Sequence, residues 1–106
     1  MLILAIDQGT TGTTCLLLDA AHRSVAKAYR EFPQIYPKEA WVEHDPEVIW
    51  ATVLATIADL FSQLPGRRDE VAVIGITSQR ETSLLWDRQS GAALANAIVW
   101  QCRRSA

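Results

Sequence analysis

The sequence predicts an α/β domain with a mixed sheet, in which an antiparallel meander is followed by a crossover helix and a parallel strand. Three observations support this prediction. Short apolar runs alternate with polar turns over the first third of the chain, one helical repeat occupies residues 45–64, and a further apolar run follows at residues 71–76. At 106 residues, the chain is the length of a single domain with a modest core.

The meander occupies the first 32 residues. Residues 2–6 form a continuous apolar run that stops at Asp7, as expected of a strand covered on both faces. Residues 13–18 are β-branched and apolar again, and a polar turn at 19–23 leads into a looser strand at 24–32. Short connections between consecutive strands predict antiparallel pairing.

The helix has clear start and stop signals. Residues 33–44 contain two prolines and aromatic residues, which predicts an extended loop laid over the domain. Asp45-Pro46-Glu47 then supplies an N-cap acceptor, a proline at the first helical position and an acidic residue in the first turn. Pro65-Gly66 ends the helix. Between these signals the apolar residues recur at helical spacing: Ile49, Val53, Ile57, Leu60, Phe61 and Leu64.

The last third of the chain begins with a predicted buried strand at residues 71–76, which breaks into the polar segment 77–82. A short strand is predicted at 83–86, followed by a turn at 87–91 that Gly91 ends. Residues 96–104 are interpreted as a last strand or its exit loop.

Composition excludes several classes of function. With 49% hydrophobic residues, 21% charged residues and a net charge of -2, the chain is typical of a soluble globular protein without strong attraction to nucleic acid. The first apolar run is too short to span a membrane, and it lacks the basic start of a signal peptide. Cys15 and Cys102 lie in apolar surroundings without metal-type spacing, which predicts reduced, buried thiols in a cytoplasmic protein.

The first candidate site is the segment from Asp7 to Thr13. It has no lysine after its glycines, as a Walker loop requires, and a strand rather than a helix follows it, which argues against a dinucleotide fingerprint. A glycine-rich hairpin still brings backbone N–H groups close to a phosphate, and Thr10, Thr11 and Thr13 add hydroxyl donors. Asp7 is suited to a divalent cation held against nucleotide phosphates. The alternative is a tight turn in which the carboxylate satisfies local N–H groups.

The second candidate site follows the strand at residues 71–76, at the carboxyl end where open α/β sheets bind ligands. Arg80 offers a planar fork of donors and Glu81 two acceptor oxygens, and together they suit the vicinal hydroxyls of a small polyol. The indole of Trp100 would form an apolar wall behind the carbons of the polyol. The alternatives are a solvated ion pair for Arg80 and Glu81 and core packing for Trp100.

Other conspicuous side chains are interpreted as structural. Trp50 is expected to pack in the core from the helix, and Tyr29, Tyr36 and Trp41 to hold the long loop against the sheet. His44 precedes the helix cap and is expected to make a local hydrogen bond, whereas Arg103 and Arg104 are expected to be solvated.

Five blocks of sequence together resemble the N-terminal portion of the glycerol kinases, which belong to the FGGY carbohydrate kinases of the actin-like, ribonuclease H-like ATPase fold. They follow the family's order over essentially the whole chain and lie at residues 7–11, 31–37, 41–46, 76–82 and 96–104. The first block is common to many sugar kinases, whereas Gln-Arg-Glu-Thr and Trp-Gln-Cys-Arg-Arg point to glycerol in particular.

The resemblance implies ATP-dependent phosphorylation of glycerol to sn-glycerol 3-phosphate, with Mg²⁺ as the metal. It implies that Asp7 serves the metal and that Arg80, Glu81 and Trp100 hold glycerol. Nucleotide phosphates would meet the hairpin residues, namely Thr10, Thr11, Gly12 and Thr13.

The resemblance also implies that residues 1–106 are an incomplete N-terminal part of the first kinase lobe. The aspartate that the family uses as general base is expected beyond residue 106, so the chain alone is expected to have little or no turnover. The missing lobes or a second copy would cover apolar surface left exposed on the strand at 71–76. The family often has serine at the position of Gly12 and arginine at that of Thr14. A kinase for another sugar or polyol, and a non-catalytic ligand-binding or interaction module, remain alternatives.

Overall fold

A four-stranded mixed sheet with one helix across it organises the computed structural model, which describes residues 1–104. The strand order is β3–β2–β1–β5, and a separate two-stranded ribbon pairs β4 with β6. The elements are β1 (Leu2–Gln8), β2 (Gly12–Leu18), β3 (Ser24–Glu31), β4 (Glu43–His44), α1 (Pro46–Ser62), a 3₁₀ turn (Arg68–Glu70), β5 (Val71–Ser78) and β6 (Ala97–Ile98). The antiparallel meander, the crossover helix and the parallel strand are all confirmed.

The core lies on one face of the sheet. Alternate residues of β1 and β2 point toward α1 and are buried with residues of the helix, namely Leu2, Leu4, Ile6, Cys15, Leu17, Val53 and Leu60. The opposite face, which we call the open face, carries Ile3, Ala5 and Asp7 on β1. No element within residues 1–104 covers the open face, so β1 is fully buried on one side only.

Asp45 begins the helix as predicted. Its carboxylate accepts a hydrogen bond from the Glu47 N–H at 2.9 Å, and Pro46 occupies the first turn. The helix buries a narrower stripe than its apolar sequence predicts. Trp50 is 60% exposed and Leu54 is 48% exposed, so the prediction that Trp50 packs in the core is wrong. The helix packs mainly on β2 and β3, and Trp50 on its outer flank remains exposed.

The prediction that β5 is a buried strand is also wrong, because β5 is the edge strand beside β1 and α1 packs mainly on β2 and β3. Val73, Ile74 and Ile76 are 54%, 58% and 72% exposed, respectively. The expectation of exposed apolar surface on this strand is therefore confirmed, and the exposure extends to both of its faces.

The segment after β5 is less regular than predicted. Residues 83–86 form no strand; only Ser83 and Trp86 make isolated bridges, to Ile98 and Ala93. Leu85 is 73% exposed, and an apolar segment without a surface to pack on has no strong preference for a strand. The turn at residues 87–91 ends at Gly91 with a φ of 75°, as predicted.

Both cysteines are free thiols. Cys15 is buried as predicted, and this burial raises the pKa of its thiol. Cys102 is only half-buried, and its Sγ accepts a hydrogen bond from Arg104 Nε at 3.0 Å. Across residues 1–104, no helix has the length and apolar character needed to cross a membrane.

Truncation of Leu60 tests this description of the core. Leu60 is fully buried between α1 and the sheet, so Leu60→Ala is expected to lower the free energy of unfolding by about 2–5 kcal/mol through lost burial and cavity formation. Leu54→Ala, on the exposed flank of the same helix, is expected to cost less than about 1 kcal/mol. Urea denaturation of the two variants measures both, and equal losses would contradict the packing described here.

Candidate functional site

The carboxyl ends of β1 and β5 lie side by side. The two strands are parallel and adjacent, with Asp7 opposite Thr77 and Gln8 opposite Ser78. Side chains at the ends of the two strands also meet, since Gln79 Nε2, directly after β5, donates to Oε1 of Gln8, the last residue of β1, at 3.4 Å. The predicted meeting of the two loops at one edge of the sheet is therefore confirmed.

Asp7 points onto the open face and is exposed. It borders a shallow concavity with residues that share its face, namely Ala5, Thr14, Leu16, Gly75 and Thr77. Sequence reasoning missed Thr77, whose place beside Asp7 follows from strand register. Within residues 1–104, no group of three His, Cys, Asp or Glu side chains is arranged to hold a metal. The donors fit Mg²⁺, which commonly binds one or two carboxylates and takes its other ligands from water and substrate phosphates.

The hairpin after β1 is closed by a hydrogen bond from the Gly9 N–H to the Gly12 carbonyl at 2.9 Å. Thr11 is exposed, with its hydroxyl 3.3 Å from the Tyr29 hydroxyl. Thr10 is half-buried, and its carbonyl accepts a hydrogen bond from Gln34 Nε2 at 2.9 Å. The side chain of Thr11 is thus exposed to solvent, while the backbone of the hairpin is fixed by the hydrogen bond from Gln34.

Thr13 has a different position. It is fully buried on the face that α1 covers, with Cys15 and Leu17, and its hydroxyl oxygen has no hydrogen-bond partner among the residues described. Strand alternation puts it on the side opposite Asp7 and Thr14. The structure therefore gives no support to the prediction that the Thr13 hydroxyl meets a nucleotide.

The loop after β5 presents two charged side chains. Arg80 and Glu81 are exposed, and neither forms a side-chain hydrogen bond or ion pair with the part of the chain that the structure describes. Glu81 has a φ of 56°, a left-handed conformation that is uncommon for residues other than glycine. Such backbone strain is concentrated at ligand sites, although it does not identify the ligand.

Trp100 is brought toward this loop by backbone pairing. Ser83 and Ile98 exchange two N–H to carbonyl hydrogen bonds of 2.9 Å each, which places the segment containing Trp100 beside the loop containing Arg80 and Glu81. Trp100 is 56% exposed, so it lies outside the core. Its indole is available to a ligand.

A group of polar side chains centred on the buried His44 lies beneath the two loops, and sequence reasoning missed it. His44 is fully buried, and its ring makes an edge contact with Phe32 at a centroid distance of 4.9 Å. Its Nε2 lies 2.5 Å from Gln34 Oε1 and its Nδ1 lies 3.2 Å from Gln79 Nε2. The prediction of a local hydrogen bond for His44 is wrong, since these partners are 10 and 35 residues away. Burial lowers the pKa of its imidazole.

Arg104 is not solvated as predicted. It donates to a Glu43 carboxylate oxygen at 2.6 Å, and its guanidinium lies 3.8 Å from the centroid of the Trp41 ring. Asn96 donates to the other Glu43 oxygen at 3.1 Å. Both hydrogen bonds lower the pKa of the Glu43 carboxyl, and the bond from Arg104 has the larger effect. Arg103 has an exposed side chain, as predicted. The pair between Glu43 and Arg104 ties the end of the described chain to the long loop.

Comparison with known proteins adds to this geometry. Residues 2–106 match the N-terminal domain of the FGGY family of carbohydrate kinases. The chain is 54% identical to a glycerol kinase of Azotobacter vinelandii over 104 residues, which cover 98% of this chain and 21% of that protein. The chain therefore spans about a fifth of the length of the curated relatives it matches.

Solved structures give the same result for the fold. A xyloylose kinase from Brucella ovis superposes with a TM-score of 0.93 at 28% identity, covering 98% of this chain and 22% of that one. A Plasmodium falciparum glycerol kinase, solved with ADP, superposes with a TM-score of 0.77 at 35% identity, covering 97% and 21%. The fold of residues 1–104 is thus that of the actin-like sugar kinases.

Gly12 offers a test of the hairpin. A Cβ atom at this position would overlap the Arg30 carbonyl oxygen and lie 2.7 Å from the Tyr29 hydroxyl, which leaves no room for a serine. Gly12→Ala is therefore expected to lower the free energy of unfolding by about 1–3 kcal/mol through overpacking. Gly75→Ala is the control, because a Cβ there meets nothing within 4 Å, and its effect is expected to stay within about 0.5 kcal/mol. Chemical denaturation measures both, and a neutral Gly12→Ala would contradict the close packing.

The buried imidazole predicts a dependence of stability on pH. The pKa of His44 is lower in the folded state than its unfolded value of about 6.5. The free energy of unfolding therefore has its full value above pH 6.5 and decreases as the pH is lowered below it, because the unfolded state binds the proton first. The loss continues until pH reaches the lowered folded pKa, with a slope of at most about 1.4 kcal/mol per pH unit.

Denaturation of the His44→Gln variant at several pH values should lack this slope. His22, the other histidine, is exposed with a φ of 63°, so His22→Asn should keep it. An unchanged slope in His44→Gln would show that other groups cause it.

Proposed function

Since the chain belongs to the FGGY family of carbohydrate kinases, we propose that it is the N-terminal part of the first lobe of a glycerol kinase. The complete enzyme transfers the γ-phosphoryl group of ATP to a terminal hydroxyl of glycerol and forms sn-glycerol 3-phosphate. The observation that carries this proposal is the parallel pairing of β1 with β5, because it places the two polar loops at one rim.

On the nucleotide side, the hairpin supplies the donors. Backbone N–H groups at its tip and the hydroxyls of Thr10 and Thr11 meet phosphate oxygens, and glycine at position 9 permits the close approach of the backbone. The carboxylate of Asp7, with Thr14 and Thr77 beside it, holds Mg²⁺ directly or through water. When bound, the metal neutralises charge on the phosphates.

On the acceptor side, Arg80 and Glu81 hold the polyol. The guanidinium donates to hydroxyl oxygens, the carboxylate accepts from hydroxyl hydrogens, and a pair of vicinal hydroxyls satisfies both. Their side chains have no partners within residues 1–104, so no protein contact has to break before the ligand binds. The exposed indole of Trp100 covers the carbon skeleton.

Phosphoryl transfer asks little covalent chemistry of the protein, so most of the catalysis consists of positioning and charge neutralisation. It still benefits from a base toward the attacking hydroxyl. Asp7 is occupied with the metal, and no other carboxylate within residues 1–104 shares the concavity on the open face. We therefore assign the base to a part of the enzyme outside these residues, and the chain alone has little or no turnover.

Glycerol is favoured over other acceptors by sequence rather than by shape. The xyloylose kinase superposes better than the glycerol kinase, with TM-scores of 0.93 and 0.77, so a related sugar or polyol kinase is the second candidate. Identity favours glycerol, at 54% to the Azotobacter glycerol kinase against 28% to the xyloylose kinase. The two free thiols suit a reducing compartment, and we place the enzyme in the cytoplasm. The exposed β5 suits the remaining lobes of the kinase or a second copy as its partner.

The test is a coupled ATPase assay on the complete protein encoded by the reading frame that contains this chain. Glycerol-dependent ATP consumption is expected, with a kcat/KM for glycerol above that for xylulose. Arg80→Ala is expected to raise the KM for glycerol roughly 10- to 100-fold by removing a charged hydrogen-bond donor.

Arg68→Ala is the matched control, because Arg68 lies just before β5, at the end of the strand opposite to Arg80. Its KM should be that of the wild type. A wild-type protein that consumes ATP with xylulose but not with glycerol would establish the second candidate, and glycerol binding without any nucleotide binding would indicate a non-catalytic module.

A further inference from the structure

The polar side chains beneath the two loops form one continuous chain of hydrogen bonds around the buried His44. We call it the glutamine–histidine chain; it consists of Gln8, Gln34, His44 and Gln79. Its members come from β1, from the long loop, from β4 and from the residue after β5. None of them is assigned to phosphate or to glycerol above.

One arm of the chain reaches the nucleotide side. His44 Nε2 lies 2.5 Å from Gln34 Oε1, and Gln34 Nε2 donates to the Thr10 carbonyl at 2.9 Å. An amide oxygen only accepts, so Nε2 of His44 carries the proton. The imidazole therefore holds the backbone of the hairpin through a single intervening side chain.

The other arm reaches the acceptor side. With its proton on Nε2, the neutral imidazole accepts at Nδ1, and Gln79 Nε2 donates to it at 3.2 Å. The same Gln79 nitrogen lies 3.4 Å from Gln8 Oε1. Gln79 immediately precedes Arg80, so this arm fixes the start of the loop that carries Arg80 and Glu81.

The site leaves His44 little freedom. It is fully buried, and Phe32 packs against its ring. Both ring nitrogens are used, and either nitrogen of the fully buried ring would be costly to leave without its partner. One tautomer and one ring orientation therefore satisfy both arms.

We propose that His44 is a positioning residue that sets the hairpin at residues 9–12 against the loop at residues 79–82. In its catalytic consequence this inference rests on the proposed function. The attacking hydroxyl and the phosphorus atom must approach within about 3–3.5 Å, and a displacement of about 1 Å costs on the order of 100-fold in rate. Each loop carries one of the two reactants, so the geometry between the loops sets the rate.

Three variants of the complete protein separate positioning from stability. His44→Leu places an apolar side chain of similar size against Phe32 but removes both ring nitrogens, so it breaks both arms. His44→Gln retains one donor and one acceptor. Thr56→Val removes a buried hydroxyl that donates to the Thr52 carbonyl at 2.7 Å within α1, so it perturbs stability without touching either loop.

Steady-state kinetics give the first readout. His44→Leu is expected to lower kcat about 10- to 100-fold, while the KM for glycerol and the KM for ATP change less than about threefold. His44→Gln should recover most of the kcat, and Thr56→Val should keep it. A wild-type kcat in His44→Leu overturns the proposal, and so does a loss of kcat in Thr56→Val as large as that in His44→Leu. Should His44→Leu not fold, Gln34→Leu and Gln79→Leu each break one arm and are judged by the same criterion.

Amide hydrogen exchange on the same proteins, without substrates, gives a readout independent of activity. His44→Leu should speed exchange at both loops together, at Thr10 and Thr11 and at Arg80 and Glu81, and Thr56→Val should not. If both loops respond but the wild-type protein has no glycerol-dependent activity, the proposed function fails and the positioning role stands. If either loop keeps its wild-type exchange, the positioning role fails whatever the activity.

Discussion

The parallel pairing of β1 with β5 is the constraint on which the candidate site depends. The contacts assigned to ligands lie near the carboxyl ends of these two strands, on the loops that follow them, or on a segment paired with a strand or loop of this group. The crossover through α1 makes the pairing parallel, because a helix is needed to bring the chain back to the same end of the sheet. The helix therefore contributes to the site by setting the direction of β5, and it shares one buried core with β1.

The division between the two faces of the sheet follows from the same pairing. On the face under α1, apolar residues are buried, and the polar Thr13 is buried with them. On the open face, Asp7, Thr14 and Thr77 converge on one concavity. Strand alternation alone decides which of two neighbouring threonines faces the core and which faces the concavity.

Much of the fold follows from local signals in the sequence. The Asp45 cap, the meander and the two polar breaks each depend on a few adjacent residues, and each is found where the sequence predicts it. Apart from the strand predicted at residues 83–86, which does not form, the failures in the fold concern the exposure of side chains. Trp50 and the apolar residues of β5 have the composition of a core, but their burial depends on which other elements reach them. A pattern in the sequence shows that a side chain is suited to burial and does not show what covers it.

The candidate site was predictable to the same extent. Asp7 stands directly after an apolar run, and Arg80 and Glu81 lie in the polar segment that follows the next one, so their positions are visible in the sequence. The bonds of His44 join partners far apart along the chain, and the ion pair between Glu43 and Arg104 closes 61 residues. Nothing in the local pattern distinguishes such residues from solvated ones, because the signal is tertiary. In the sequence, these residues stand out only because they lie in the blocks at 41–46 and 96–104 that resemble a family. Membership of such a block does not indicate what a residue does.

The edge of β5 has a consequence for biosynthesis. Val71–Ser78 has no charged residue and no proline, the devices by which natural edge strands resist unwanted pairing. Along its outer edge, this strand presents unpaired backbone groups and exposed apolar side chains to its surroundings. Nascent chains on neighbouring ribosomes of one polysome would then be at risk of cross-strand aggregation, and a chaperone that shields extended apolar segments would protect them until the strand is covered.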